Sequence, residues 1–256
     1  VVAVVVVEGT GARLGAALDA LEAQEARVLV AATGVAPRVS NAARRRGVAV
    51  LDLPPMAGGV AAARRRGMAL ALSMAPGAAA VLTCAGDGVL AAGTVQALRG
   101  ALSLADAAFG RPLPDPREPG RLRPAERRLI RLLDRHKALS AEIAALREPR
   151  PWDPPARHGW TTVSLMAFRP RIYLAVGGLP ALEVGAGAAM VAALDRIGAR
   201  VARPRAAVIL GEGPAVRALG MPRGTEAELA RQIARIAARC AAQERALRRA
   251  YGGGPG

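Results

Sequence analysis

The chain has 256 residues, enough for one large α/β domain with a substantial core and too few to require two. Apolar residues make up 52% but aromatics only 2%, so the core must be built from Ala, Val and Leu, and no apolar run reaches the roughly 18 residues of a membrane span. The net charge of +16 is carried almost wholly by arginine, with Lys137 the only lysine, and it draws the chain to phosphates and anionic surfaces. The shortage of aromatics for base stacking weighs against nucleic acid as a partner.

Val1 to Val7 is a β-branched run that fits a strand covered on both faces. It has neither a basic lead nor a small-residue cleavage site, so no secretory leader is expected there; the first residue is not Met, so a few residues are expected to precede it. After the glycines at 9, 11 and 15, Leu14, Leu18 and Leu21 recur at helical spacing. Arg27 to Ala32 reads as a strand, Val39 to Arg46 as a helix, Val48 to Leu53 as a strand, Ala57 to Ser73 as a helix, Ala78 to Thr83 as a strand and Thr94 to Leu104 as a helix. This alternation predicts a mostly parallel sheet between helical layers, a three-layer α/β/α sandwich.

The next stretch changes character. Arg111 to Pro124 holds five prolines and reads as a loop, and Pro124 to Leu146 as a charged helix. Thr161 to Phe168 is then a strand, Pro170 to Val176 a short helix closed by Gly177-Gly178, and Gly187 to Ile197 a further helix. Val201 and Val208 to Leu210 read as short strands. Thr225, with Glu228 three residues on, opens a final helix through a capping box. Leu229, Ile233, Ile236, Cys240 and Leu247 line one side of that helix, and Arg231, Arg235 and Arg239 recur once per turn. Its basic face is expected to be solvated, with peripheral contact to an anionic membrane as the alternative. Cys84 and Cys240 make neither a disulfide framework nor a zinc site, so a reducing, cytoplasmic setting is expected.

Glu8-Gly9-Thr10-Gly11-Ala12-Arg13-Leu14-Gly15 sits between a strand and a helix, a place where backbone amides cradle phosphate. The second strand ends in Ala31-Ala32-Thr33-Gly34, without the acid that a dinucleotide fold uses on the ribose. The turn also resembles the arginine-containing loop of sugar-nucleotide nucleotidyltransferases, though no lysine follows it before Lys137.

Several strings, in order and spacing, resemble family 2 glycosyltransferases of the GT-A fold over roughly residues 1 to 210. The stretch from Ala12 to Leu21 looks like that family's first helix. Ala57-Gly58-Gly59 through Arg64-Arg65-Arg66-Gly67 is similar to its glycine-led segment with an Ala-Arg-Asn-X-Gly core. Thr83-Cys84-Ala85-Gly86-Asp87 stands where the family carries Asp-X-Asp. Ser164 to Arg169 and Tyr173 to Pro180 resemble the acceptor-side strand and the Gly-Gly turn.

The resemblance implies transfer of a sugar from a nucleotide-diphosphate sugar to an acceptor hydroxyl. In such enzymes a carboxylate-bound Mn or Mg ion neutralises the leaving diphosphate, and a second carboxylate takes the acceptor's proton. Carried onto this chain, it implies Glu8, Arg64 and Asp87 at the donor, Asp87 on the metal, Glu183 as the base, and His158 and Trp160 on the acceptor side. It also implies a GT-A-like unit over residues 1–224 with a charged helical insertion at about 111–155, followed by a C-terminal helix and tail over 225–256. The chain departs from the pattern where Ala85 replaces the first Asp and Ala186-Gly187 replaces the catalytic acidic pair. A catalytically inactive relative that binds a partner, and a sugar nucleotidyltransferase, are the alternatives these departures leave.

Overall fold

The computed structural model describes residues 1–55, 57–115, 123–154, 157–182, 185–211 and 225–252. Its centre is a seven-stranded sheet in the order β3-β2-β1-β4-β8-β6-β9. These strands are β1 (Val2–Glu8), β2 (Arg27–Thr33), β3 (Ala49–Leu53), β4 (Val81–Ala85), β6 (Ala107–Phe109), β8 (Leu165–Phe168) and β9 (Val201–Ala202). β1 pairs in parallel with both β2 and β4, β2 with β3, and β6 with β9, while β8 runs antiparallel between β4 and β6. The predicted sandwich with its mostly parallel sheet is therefore present.

β1 is apolar at successive positions because both its faces are covered. Ala3, Val5 and Val7 pack with Leu14, Leu18 and Leu21 of α1 (Leu14–Glu22), Val39 of α2 (Pro37–Arg45), and Val95 and Leu98 of α4 (Thr94–Leu104). Val2, Val4 and Val6 pack on the opposite side with Met68 of α3 (Gly59–Met74), Tyr173 of α6 (Pro170–Ala175), and Met190 and Leu194 of α7 (Ala186–Arg196). With few aromatics, the second core depends on one ring cluster: Phe168 lies edge-on to Phe109 at 6.3 Å and tilted to Tyr173 at 5.5 Å. The Tyr173 hydroxyl accepts the Leu179 amide just past the Gly177-Gly178 turn.

A second, three-stranded sheet was not expected. β10 (Val208–Leu210) pairs with β5 (Val89–Leu90) and with β7 (Arg111–Leu113). The opening of the proline-rich segment is thus a strand and not a loop. Pro112 is tolerated because β7 is an edge of that sheet, with β10 as its single neighbour.

α5 (Pro124–Arg147) and α8 (Glu226–Gly252) form a helical pair with a small core of Leu129, Leu229, Ile236 and Cys240. Contacts climb together along both helices: His136 meets Gln243, Arg135 meets Glu244 at 2.5 Å, and Glu142 meets Tyr251. The two helices therefore run parallel. α8 opens with the predicted capping box, in which Thr225 and Glu228 each accept the other's backbone amide. Arg231, Arg235 and Arg239 are exposed.

Candidate functional site

β1 and β4 both end at the same edge of the sheet, and the chain leaves β1 toward β2 on one side while β4 flanks it on the other. Such a switch point opens a crevice at the carboxyl ends of the strands. A cleft of about 860 Å³ lies there, lined by Val6 and Glu8 from β1 and by Ala85 and Asp87 at the end of β4. The first turns of α3 (Gly59, Val60) and α7 (Ala186, Gly187, Ala188), together with Trp160 to Ser164, form other walls.

The cleft brings Glu8, Arg64, Asp87 and Trp160 together. Arg64 is 2% exposed, whereas Arg65 and Arg66 point to solvent, so one arginine of the triplet is turned inward. Its charge also reaches Cys84 beneath the strand ends. Burial pushes that thiol up to about 12 and Arg64 opposes it only partly, so Cys84 is an inert packing residue. Neither α3 nor α7 has an acid in its first turn or a side-chain cap, so the positive ends of both helix dipoles are left to the cleft.

The rest of the glycine-rich turn takes no part. Of its residues only Glu8 lines the cleft, and Arg13 pairs with the buried Asp115 at 2.5 Å. The arginine that a nucleotidyltransferase loop would direct at phosphate is committed elsewhere.

The structure places the two residues expected on the acceptor side differently. His158 is fully buried and does not line the cleft: its Nε2–H donates to the Phe109 carbonyl at 3.0 Å and its Nδ1 accepts the Trp160 amide at 3.1 Å. Trp160 does line the cleft but is only 2% exposed; Asp134 accepts its indole N–H at 2.8 Å, and the Lys137 ammonium lies over its ring at 4.8 Å. One face of the ring therefore carries a lysine. Glu183 lies outside the described residues.

Lys137 is the cleft residue that sequence reasoning missed. The available signal was compositional: it is the single lysine in an arginine-rich chain. It sits on a helix read as a peripheral insertion, so nothing local connected it to the strand ends.

The carboxylates of the described residues do not complete a metal site. Among the described residues no group of three or more His, Cys, Asp or Glu could hold an ion. Among the described residues Asp87 and Glu8 are the carboxylates that line the cleft, and Ala85 stands where a ligand was expected; those two alone fall short of the oxygen set that Mg or Mn takes.

No protein-family model matches this chain, and no curated protein sequence does. Solved structures do match. Glucosyl-3-phosphoglycerate synthase from Mycobacterium tuberculosis, in complex with Mn2+, uridine diphosphate and phosphoglyceric acid, superimposes with a TM-score of 0.53 at 16% identity, over 93% of this chain and 78% of that one. The same enzyme with Mn2+, UDP-glucose and glycerol 3-phosphate gives 0.52 at 15% identity, over 94% and 79%. Residues 1–349 of TarS from S. aureus give 0.51 at 13% identity, over 93% and 71%.

The chain has the GT-A fold. Identities this low establish the architecture and no more. Within the GT-A frame the cleft lies at the strand ends, with Lys137 of α5 in its lining, and among the described residues no helix is long and apolar enough to cross a membrane.

The buried His158 makes a prediction of its own. Burial, reinforced by Arg111, Arg203 and Lys137, lowers its pKa to about 3 against the hydrogen bond to Phe109. An unfolded histidine titrates near 6.5, so the unfolded chain takes up a proton in a range where the folded one does not. Stability should be full above about pH 7 and fall by about 2 kcal/mol by pH 5, before the carboxylates titrate. Urea titrations across that range check this, and His158→Gln should flatten the slope.

Proposed function

We propose that this chain is a glycosyltransferase that holds a nucleotide-diphosphate sugar in the cleft at the ends of β1 and β4 and transfers the sugar to an acceptor hydroxyl. The observation that carries the reading is the convergence of Glu8, Asp87 and Arg64, from three separate segments, at the switch point of a GT-A sheet. Two carboxylates suit hydroxyls of a ribose or sugar, while Arg64 and the first turns of α3 and α7 suit a diphosphate. The structurally similar synthase is named with UDP, UDP-glucose and phosphorylated acceptors. UDP is therefore the nucleotide to test first, and a family 2 ancestry is part of the same proposal.

Glu183 is proposed as the base that takes the acceptor's proton; in sequence it lies between Leu182 and Gly185, two residues of the cleft wall. A divalent ion, with Asp87 as its proposed ligand, would supply charge neutralisation to the leaving diphosphate. Arg64 and the helix ends favour the charge that develops on the leaving group.

One observation favours a second reading, a binding protein descended from such an enzyme. Ala186 and Gly187 open α7 where a catalytic acid pair was expected, and no acid stands in that first turn. Titration with UDP followed by turnover separates the two readings. At about 100 times its Kd, UDP should stabilise the fold by about 2.7 kcal/mol and raise Tm by about 5–10 °C. Transfer or hydrolysis of a UDP-sugar that drops about 30-fold in Asp87→Ala supports the enzyme. Binding without turnover supports the relative. A Tm unmoved by any nucleoside diphosphate refutes both as donor-site proteins.

A further inference from the structure

The cleft contains a cation that neither the sequence pattern nor the proposed chemistry assigns. Lys137 reaches in from α5, half-buried, and its recorded contact is with the face of Trp160. Among the described residues no carboxylate pairs with it. Elsewhere the fold matches many cations with acids: Arg111 with Asp134, Arg157 and Arg203 with Asp153, Arg200 with Asp106.

Its position is built, not accidental. Asp134, one turn earlier on α5, fixes the Trp160 indole, and Arg111 holds Asp134 from the other side at 2.8 Å. Gly159 lets the backbone come close, since a Cβ there would lie 2.7 Å from the Lys137 carbonyl oxygen. The ammonium thus rests on a clamped ring beside the cleft. Burial lowers its pKa, and among the described residues no carboxylate pairs with it, so an anion arriving there would relieve an existing cost.

We propose that Lys137 is the phosphate anchor of this cleft and that, with Arg64, it neutralises a bound phosphate whether or not a divalent ion is present. A lysine suits the task as a compact point charge with three donors. Phosphate in the cleft can come from the diphosphate of a nucleotide or from a phosphorylated acceptor, and Lys137 reads the chemistry the two share. The inference rests on the donor-cleft reading for its ligand, but its own content is that binding does not need a divalent ion.

Calorimetry on the full chain tests this with UDP and, separately, with glycerol 3-phosphate, each in excess EDTA and again with Mn2+. UDP should bind in EDTA within about threefold of its affinity with Mn2+, and Lys137→Met should weaken binding by about tenfold or more. Lys137→Arg, which keeps the charge, should recover most of that loss. It also guards against a misfolded Met variant, as does an unchanged ligand-free Tm. If Lys137→Met loses UDP, the anchor serves the donor; if it loses only glycerol 3-phosphate, the anchor serves the acceptor. UDP binding that EDTA abolishes and Lys137→Met leaves unchanged would overturn this inference and leave the donor reading intact. Binding of glycerol 3-phosphate through Lys137, with UDP inert under every condition, would keep the anchor and remove the donor. No binding of either ligand, with or without Mn2+, would overturn both.

Discussion

Asp153→Ala should destabilise the protein by about 3–5 kcal/mol, the cost of stripping the counter-charge from buried cations. Asp153 is 2% exposed, and its carboxylate meets Arg157 at 3.1 Å and Arg203 at 3.7 Å while also accepting the Arg203 amide at 2.8 Å. Arg157 is itself buried and reaches the Ala141 carbonyl of α5. Burial already lowers the Arg203 pKa, and Asp153 is the main influence opposing it. Removing the acid would leave both guanidiniums charged in place, because arginine does not deprotonate. The expected signature is a urea midpoint that falls with an unchanged m-value, and a Tm lower by about 10 °C. Asp153→Asn should lose less, since an amide oxygen still accepts the Arg203 amide. Pairing Asp153→Ala with Arg203→Ala should cost less than the sum of the two, which marks direct coupling.

That cluster also marks the limit of what the sequence could reveal. Val1 to Val7 was readable as an inner strand because a β-branched run demands cover on both faces, and α1 and α3 provide it. Glu8 and Asp87 were readable because each stands just beyond such a run, where strand ends meet a crevice. Arg64 could be separated from its two neighbours only by the helical period and the resemblance together. The features that failed were those decided by distant partners. His158 became structural because the Phe109 carbonyl, 49 positions earlier, accepts its Nε2–H. Trp160 was covered because α5 folds back over it, and the same contact placed Lys137. β5 and β7 are two and three residues long, too short for a period to show, and exist only because β10 pairs with both. Local chemistry names candidates here, while long-range packing decides which of them face the ligand.

The same dependence on packing sets the second large effect. Gly187→Ala adds one methyl group to the first turn of α7, and its Cβ would lie 2.1 Å from the Thr161 carbonyl oxygen. Neither side is a flexible side chain, so the helix start and the Thr161 backbone must part. Ordinarily Gly→Ala in a helix gains about 0.5–1 kcal/mol. Here the clash should reverse the sign, to a loss of about 2–3 kcal/mol. Gly100→Ala is the matched control, since Gly100 lies within α4 with nothing within 4 Å of an added Cβ, and it should gain the ordinary amount. Opposite signs from one chemical change would show that the cleft wall between Thr161 and α7 is closed in solution as drawn. Ala186 and Ala188 border the cleft on either side of Gly187, so UDP-induced stabilisation should shrink in Gly187→Ala and survive in Gly100→Ala. A Gly187→Ala protein as stable as its parent would mean that α7 stands away from Thr161, and the cleft would then lack the helix end that the diphosphate reading places against it.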